Sequence, residues 1–308
     1  MINMNVLKNL FSIRRIDNHI ICLILGVQIK IKYKTTFVCP RVETKGITDK
    51  KRDKKIIASL TTFPARIDSV YKTVSTLLTQ TQKPDEVILW LAESQFQERK
   101  LPENLTNLEQ YGLTIKWCND IRSYKKLIPT LKEYPNDIII TFDDDIYYVP
   151  NTIESLYNSY LKHPEDVHSH RCGLVYTKGK KIKDVSMRKL YFRDFKYASF
   201  DIRLIGYGGV LYPPHSLYKD VLDEKFTREV PTHDDVWFWA MALLNKTKIR
   251  SVKGYTESVN YVENTQEVGL CKINKGTSQG GSVEDAIVKM VEMYPELLTL
   301  IEDSRTMG

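Results

Sequence analysis

Residues 137–151 read DIIITFDDDIYYVPN. Ile138, Ile139, Ile140 and Phe142 make an apolar run too short for a helix and without the polar alternation of a strand that faces water on one side. Such a run predicts a strand covered on both faces, as in a parallel α/β sheet. After Pro150, Asn151 is a good helix cap, Glu154 stands three positions on, and Ile153, Leu156, Tyr157, Tyr160 and Leu161 recur at helical spacing. A strand therefore runs into a helix, and Asp143, Asp144 and Asp145 fall at the junction. In open α/β sheets ligands bind outside the carboxyl ends of the strands, which is where these carboxylates lie.

The same alternation extends outward. KIIASLTT (55–62) reads as a buried strand, followed by a helical face made of Ile67, Val70, Tyr71, Val74, Leu77 and Leu78. Pro84 and Asp85 punctuate, EVILWL (86–91) is a second strand and TIKWC (114–118) a third. The expected fold class is α/β, with a mostly parallel central sheet flanked by helices.

If the strand stays extended through the acidic run, Asp143 and Asp145 share a side roughly 7 Å apart and Asp144 points away. Like charges about 4 Å apart repel by roughly 4 kcal/mol at an effective dielectric near 20, so converging carboxylates call for a cation. With oxygen ligands and no adjacent His or Cys, that cation is a hard one, Mg2+ or Mn2+, with positions open for phosphate oxygens. The competing reading is a solvated acidic turn. The apolar strand leading directly into the acids weighs against it.

A second acidic pair stands in PTHDDVWFWAMALLNK (231–246), where Asp234 and Asp235 precede an apolar run that predicts a buried helix. Acids there cap a helix and complement its dipole, for about 0.3–1 kcal/mol each. One of the two is expected to do so; the other, near His233 and Trp237, is a candidate general base with a pKa raised by burial. Upstream, GYGGVLYPP (206–214) supplies glycines for close backbone approach to a ligand or for a tight turn entering a strand. It lacks the G-x-G-x-x-G spacing of a dinucleotide site, and no G-x-x-x-x-G-K-[ST] occurs, so Rossmann oxidoreductases and P-loop NTPases are set aside.

In this order LTTFPAR, the strand-terminal DDD, GYGGVLYPP and THDDVWFWAMALLNKTKI resemble bacterial GT-A type glycosyltransferases that build capsule, lipopolysaccharide and related surface glycans. The likeness covers residues 55–265. It implies a metal-dependent transfer of a sugar from a nucleotide-diphosphate donor, UDP favoured, to a glycan or lipid-linked acceptor, with inversion favoured. Asp143 and Asp145 would hold the divalent cation. Thr61, Thr62, Arg66, Asp143, Asp144, Gly208 and Gly209 would line the nucleotide sugar, Asp235 would be the base, and Asp234 would cap the helix or meet an acceptor hydroxyl. Residues 266–308 would form a loop and helix closing on the catalytic domain, with Asn274 and Lys275 as weak candidates for donor contacts. Other enzyme classes use clustered acids too, so a hydrolase, a phosphoryl-transfer enzyme and a catalytically silent binding protein are the alternatives.

The chain of 308 residues carries a formal charge of +7. Residues 1–55 hold 13 Lys/Arg against 4 Asp/Glu, leaving 32 basic and 34 acidic residues elsewhere. The near-neutral body argues against a nucleic-acid groove, which needs clustered cations. IICLILGVQI (20–29) is about half of the roughly 20 residues a spanning helix requires, and lysines rather than a cleavage site follow it. The 1–54 leader reads as a basic and apolar segment for peripheral contact with an anionic membrane on its cytoplasmic face, where each nearby cation contributes about 1 kcal/mol, or equally as an extra strand or helix packed on the body. Five scattered cysteines without C-x-x-C spacing suit a reducing compartment without structural zinc. His163, His168, His170 and Cys172 read as a helix end entering a loop, and the basic, aromatic stretch 171–203 as a solvated insertion or a seat for a phosphate-bearing acceptor.

Overall fold

The computed structural model describes residues 11–16, 19–24, 27–32, 37–178, 181–186, 198–252, 260–268 and 281–306. Its centre is built from β4 (Ile56–Thr61), β5 (Glu86–Ala92), β6 (Leu113–Cys118) and β7 (Ile138–Phe142), all parallel and ordered β7-β4-β5-β6. Sequence order therefore leaves β4 toward β5 on one side and returns to β7 on the other. The crevice between the carboxyl ends of β4 and β7 is a topological switch point, the place where such sheets bind ligands.

Beyond β7 the sheet continues with β13 (Val210–Tyr212), antiparallel to both neighbours, then β8 (Val167–Ser169), β14 (Ile249–Ser251) and β11 (Ala198–Ser199), for eight strands in all. The α/β, mostly parallel architecture expected from the apolar runs is thus present. Alternation along each strand divides the core between the two faces. Ile57 and Ile139 pack on one side with helix α4 (Asp234–Leu244), while Ile56, Ala58, Leu60, Ile138, Ile140 and Phe142 pack on the other with α1 (Val70–Leu78) and α3 (Thr152–Tyr160). A short α2 (Ile128–Glu133) lies between β6 and β7.

Three local expectations are corrected. The helix after β4 does not run unbroken from Ile67: Pro64 opens a 3-10 turn over Pro64–Arg66, and α1 begins at Val70. Strand β7 ends at Phe142, so the three aspartates occupy a turn and lose the strict alternation of a strand. Asn151 precedes α3 without a side-chain capping bond; Gln80 Oε1 accepts from the Ile153 amide at 3.0 Å instead, a donor satisfied from 73 residues away.

A smaller antiparallel sheet is ordered β10-β9-β12, from β9 (Cys172–Lys178), β10 (Lys181–Ser186) and β12 (Ile202–Leu204). Helices α5 (Val283–Met293) and α6 (Glu296–Thr306) pack against α4 and against β10 and β9 respectively. Ser282 and Asp285 cap α5 reciprocally.

The apolar leader segment is not one element. It is divided between β2 (His19–Ile24) and β3 (Val27–Lys32), which with β1 (Phe11–Ile16) make an antiparallel meander. Isoleucines alternating with lysines in VQIKIK carry the period of a strand, not of a helix. The register sets Ile24 opposite Val27 and Cys22 opposite Ile29 on one face, where Ile24, Val27, Ile29 and Ile31 are exposed. Among the described residues no helix is long and apolar enough to cross a membrane.

Candidate functional site

A cavity of about 950 Å³ opens at the carboxyl ends of β4 and β7, within the size range of sites for nucleotide-sized ligands. The β4–α1 loop contributes Thr61, Thr62 and Arg66, the turn after β7 contributes all three aspartates, and the start of α4 contributes His233, Asp234 and Asp235. Arg122, Lys125 and Lys126 line it from the segment after β6, and Gly281, Ser282 and Val283 from the start of α5.

Two internal cations organise the acids into two clusters. Arg66, buried by the 3-10 turn, donates from Nη1 to Asp144 Oδ1 at 2.6 Å and from Nη2 to the Thr265 carbonyl at 3.1 Å, and its Nη2 lies 3.0 Å from Asp145 Oδ2. Thr62 Oγ1 donates to Asp144 Oδ2, and Thr73 Oγ1 donates to the Asp144 carbonyl at 2.9 Å. Gln266 Nε2 donates to Asp145 Oδ2 at 2.8 Å. Asp144 therefore does not point away: the turn brings it to the most buried part of the cluster. Thr61 lines the cavity with its hydroxyl donating to the Trp90 carbonyl at 2.8 Å.

The second cluster forms around Lys126, whose Nζ is 2.8 Å from Asp143 Oδ1, 2.8 Å from Asp234 Oδ2 and 3.9 Å from Asp235 Oδ1. Asp235 Oδ2 accepts from the Gly206 amide at 2.9 Å, while Asp235 Oδ1 is buried without a hydrogen-bond partner. The residue before α4 is His233, and neither acid makes the capping bond expected of one of them. Both carboxylates are turned into the cavity wall instead.

Of the cations lining the cavity, Arg66 and Lys126 are the two in direct contact with these five carboxylates, and burial of the acids appears in their proton affinities. Burial, followed by repulsion from Asp143 and Asp144, pushes the Asp145 carboxyl up to about 7 against the pull of Arg66. Burial also raises Asp144 in spite of Arg66. Asp235 is pushed up to about 6 by burial and then by Asp234, with Lys126 opposing.

The glycine motif acts through a different residue from the two expected. A Cβ on Gly206 would lie 2.6 Å from Asp235 Oδ1 and 2.8 Å from Lys126 Nζ, so close approach is required there. Gly208 and Gly209 are not brought to the cavity: a Cβ on Gly208 would meet Arg171, and Gly209, at φ +90°, packs against Phe142 as the chain turns into β13. Asn274 and Lys275 lie outside the described residues.

Sequence reading missed Lys126, Gly206 and Gln266. Lys126 had one available signal: Lys125 and Lys126 sit between Tyr124 and Leu127-Ile128, an apolar setting that ordinarily excludes charge unless it is paired. The histidine-rich stretch is structural. His168 Nδ1 pairs with Ser159 Oγ and His170 Nε2 with Ser155 Oγ, both at 2.9 Å, and burial pushes both imidazoles down to about 4. Among the described residues, His163, Glu165 and Asp166 are the group whose ligand atoms converge, and Asp166 there accepts from Arg250 Nε at 2.8 Å.

No family model and no curated protein matches this chain. Among solved structures it is similar to a CMP:2-keto-3-deoxy-manno-octonic acid synthetase complexed with CTP, at 13% identity and a TM-score of 0.40, over 73% of this chain and 100% of that one.

Proposed function

We propose that this protein is a metal-dependent glycosyltransferase of the GT-A type, moving a sugar from a nucleotide-diphosphate donor, a UDP-sugar, to a hydroxyl of a glycan or lipid-linked acceptor with inversion at the anomeric carbon. One observation carries the reading: Asp235, a carboxylate with one oxygen fixed by a backbone amide and the other without a hydrogen-bond partner, 3.9 Å from Lys126 Nζ, shares a cavity at the sheet's switch point with three strand-terminal aspartates.

The donor set fits a hard divalent cation, Mn2+ or Mg2+. Asp143 is engaged through Oδ1 and Asp145 through Oδ2, and the other oxygen of each makes no bond among the described residues. Bound between Asp143 and Asp145, the cation would supply charge stabilisation to the departing diphosphate.

The chain's own groups supply the rest. Thr61, Thr62 and Arg66 border the nucleotide side of the cavity, with Arg66 and Asp144 locked together as a rigid wall. Asp235 Oδ1 takes the acceptor hydroxyl proton as that oxygen attacks the anomeric carbon. The carbon–oxygen bond to phosphate breaks on the opposite face, and its electron pair leaves with the diphosphate. The Gly206 amide holds Asp235 through Oδ2 and leaves Oδ1 to take the proton.

The direct test is a melting-temperature scan. Mn2+ with UDP is expected to raise the melting temperature, by mass action on the native state, and Asp145→Ala is expected to abolish the rise. A nucleotide-sugar panel scored by nucleoside diphosphate release, followed by the anomeric configuration of the product, then identifies donor and stereochemistry. No shift with any nucleoside diphosphate sinks the proposal, and glycan cleavage without an activated sugar would establish the hydrolase alternative.

The leader completes the reading as a peripheral contact with an anionic membrane. Its support is the exposed apolar face of β2 and β3 together with 13 Lys/Arg against 4 Asp/Glu in residues 1–55. The protein is expected to sediment with vesicles containing phosphatidylglycerol, to release at high salt, and to lose binding on Ile29→Asp. Equal binding to neutral vesicles, or none to either, refutes it.

A further inference from the structure

Lys126 stands between two elements that ought to repel each other. Its side chain is 6% exposed, and its ammonium bridges Asp143, at the end of β7, to Asp234 and Asp235, at the start of α4. A point charge on a flexible stem suits this task, because it accepts several carboxylates without imposing a plane. The gap it occupies is closed on the far side by Gly206, where any side chain would strike both Lys126 Nζ and Asp235 Oδ1.

We infer that Lys126 is a positioning residue: it sets the distance between the donor-side carboxylate Asp143 and the base Asp235, with Gly206 leaving it room. The kinetic part of this inference rests on the glycosyltransferase reading above; the ionic link does not. Reacting groups held in line lose about a hundredfold in rate when displaced by about 1 Å, so the spacing matters more than the charge alone.

Lys126→Met is expected to lower kcat about 100-fold while the donor KM changes less than about threefold, because Thr61, Thr62, Arg66 and Asp145 are untouched. Lys126→Arg keeps the charge and is expected to recover part of the melting temperature lost in Lys126→Met. It leaves kcat depressed by at least about tenfold, since a planar guanidinium does not fit the Gly206-walled gap. Gly206→Ala, with the lysine in place, is expected to reproduce the loss in kcat and keeps the test available should Lys126→Met fold poorly.

A double-mutant cycle in thermal stability tests the link without reference to turnover. Asp234→Asn is expected to cost less in the Lys126→Met background than in the wild type, because it then removes an unpaired buried charge. Additive effects in that cycle refute the link. Full recovery of kcat in Lys126→Arg, or a rise in KM at constant kcat, refutes the positioning role. A wild-type protein that turns over no nucleotide sugar defeats the functional reading, and the stability cycle then still decides whether Lys126 joins the two clusters.

Discussion

Asp235→Asn is expected to reduce kcat by about 10³-fold with a melting temperature close to the wild type, the range that loss of a general base produces. The substitution is nearly isosteric and its side-chain carbonyl can still accept from the Gly206 amide. What disappears is the ability of the second oxygen to take a proton. On the proposed reading nucleoside diphosphate binding rests on Thr61, Thr62, Arg66 and a cation held by Asp143 and Asp145; it is expected to survive, so an unchanged Mn2+ and UDP melting shift separates this effect from collapse of the site. Wild-type turnover by the asparagine variant excludes Asp235 as the base.

The pH dependence follows from the same residue. Its carboxyl is raised to about 6, and the base form is the ionised one, so at saturating Mn2+ and donor, which would hold Asp145 ionised, kcat is expected to fall as pH drops through about 6 and to level off above 7. The sign for stability is the reverse. Between the ordinary carboxylate range and pH 6 the folded chain keeps a proton that the unfolded chain has released. Asp235 therefore favours the fold at low pH, and that contribution is lost as pH rises through 6. An acid limb near 4 in the kinetic profile contradicts this assignment.

The second large effect is on stability. Arg66→Met removes the partner of a carboxylate that is 8% exposed, and breaking one side of a buried ion pair costs about 3–5 kcal/mol. Asp144 is left with the Thr62 hydroxyl, beside Asp143 and Asp145, with no countercharge of its own. Without Arg66 its pKa rises further, so the loss is expected to be smaller at pH 5, where protonation relieves it, than at pH 8. Urea denaturation at the two pH values measures this. The double variant Arg66→Met with Asp144→Asn is expected to be more stable than Arg66→Met alone. Equal destabilisation at both pH values shows that the arginine acts through packing and not through charge.

Much of the scaffold is legible before any coordinates. IIASLT, EVILWL and IIITF are continuous apolar runs, and a strand with two buried faces has no other economical explanation, so the parallel sheet follows from local patterning. The same logic reads WFWAMALL as a buried helix, and in the structure Val236 to Leu243 are buried throughout. Patterning fails where a contact spans the chain. Asn151 has the right identity for a cap, yet Gln80 satisfies the helix amide from another element. The period of two predicted Asp144 on the far side from Asp143 and Asp145, but strand β7 stops one residue before the acids.

The site divides along the same line. Composition and order alone determined that this chain is an α/β protein with acids concentrated at a strand end and at a helix start, because hydrophobic period and charge are properties of adjacent residues. Tertiary structure decided which cation answers each acid: Arg66 for Asp144 and Asp145, Lys126 for Asp143, Asp234 and Asp235. It also decided that Gly206, and not Gly208 or Gly209, stands against Asp235. Electrostatic pairing acts through space across a few ångströms, between residues up to about a hundred positions apart, and no local rule of sequence encodes such a distance.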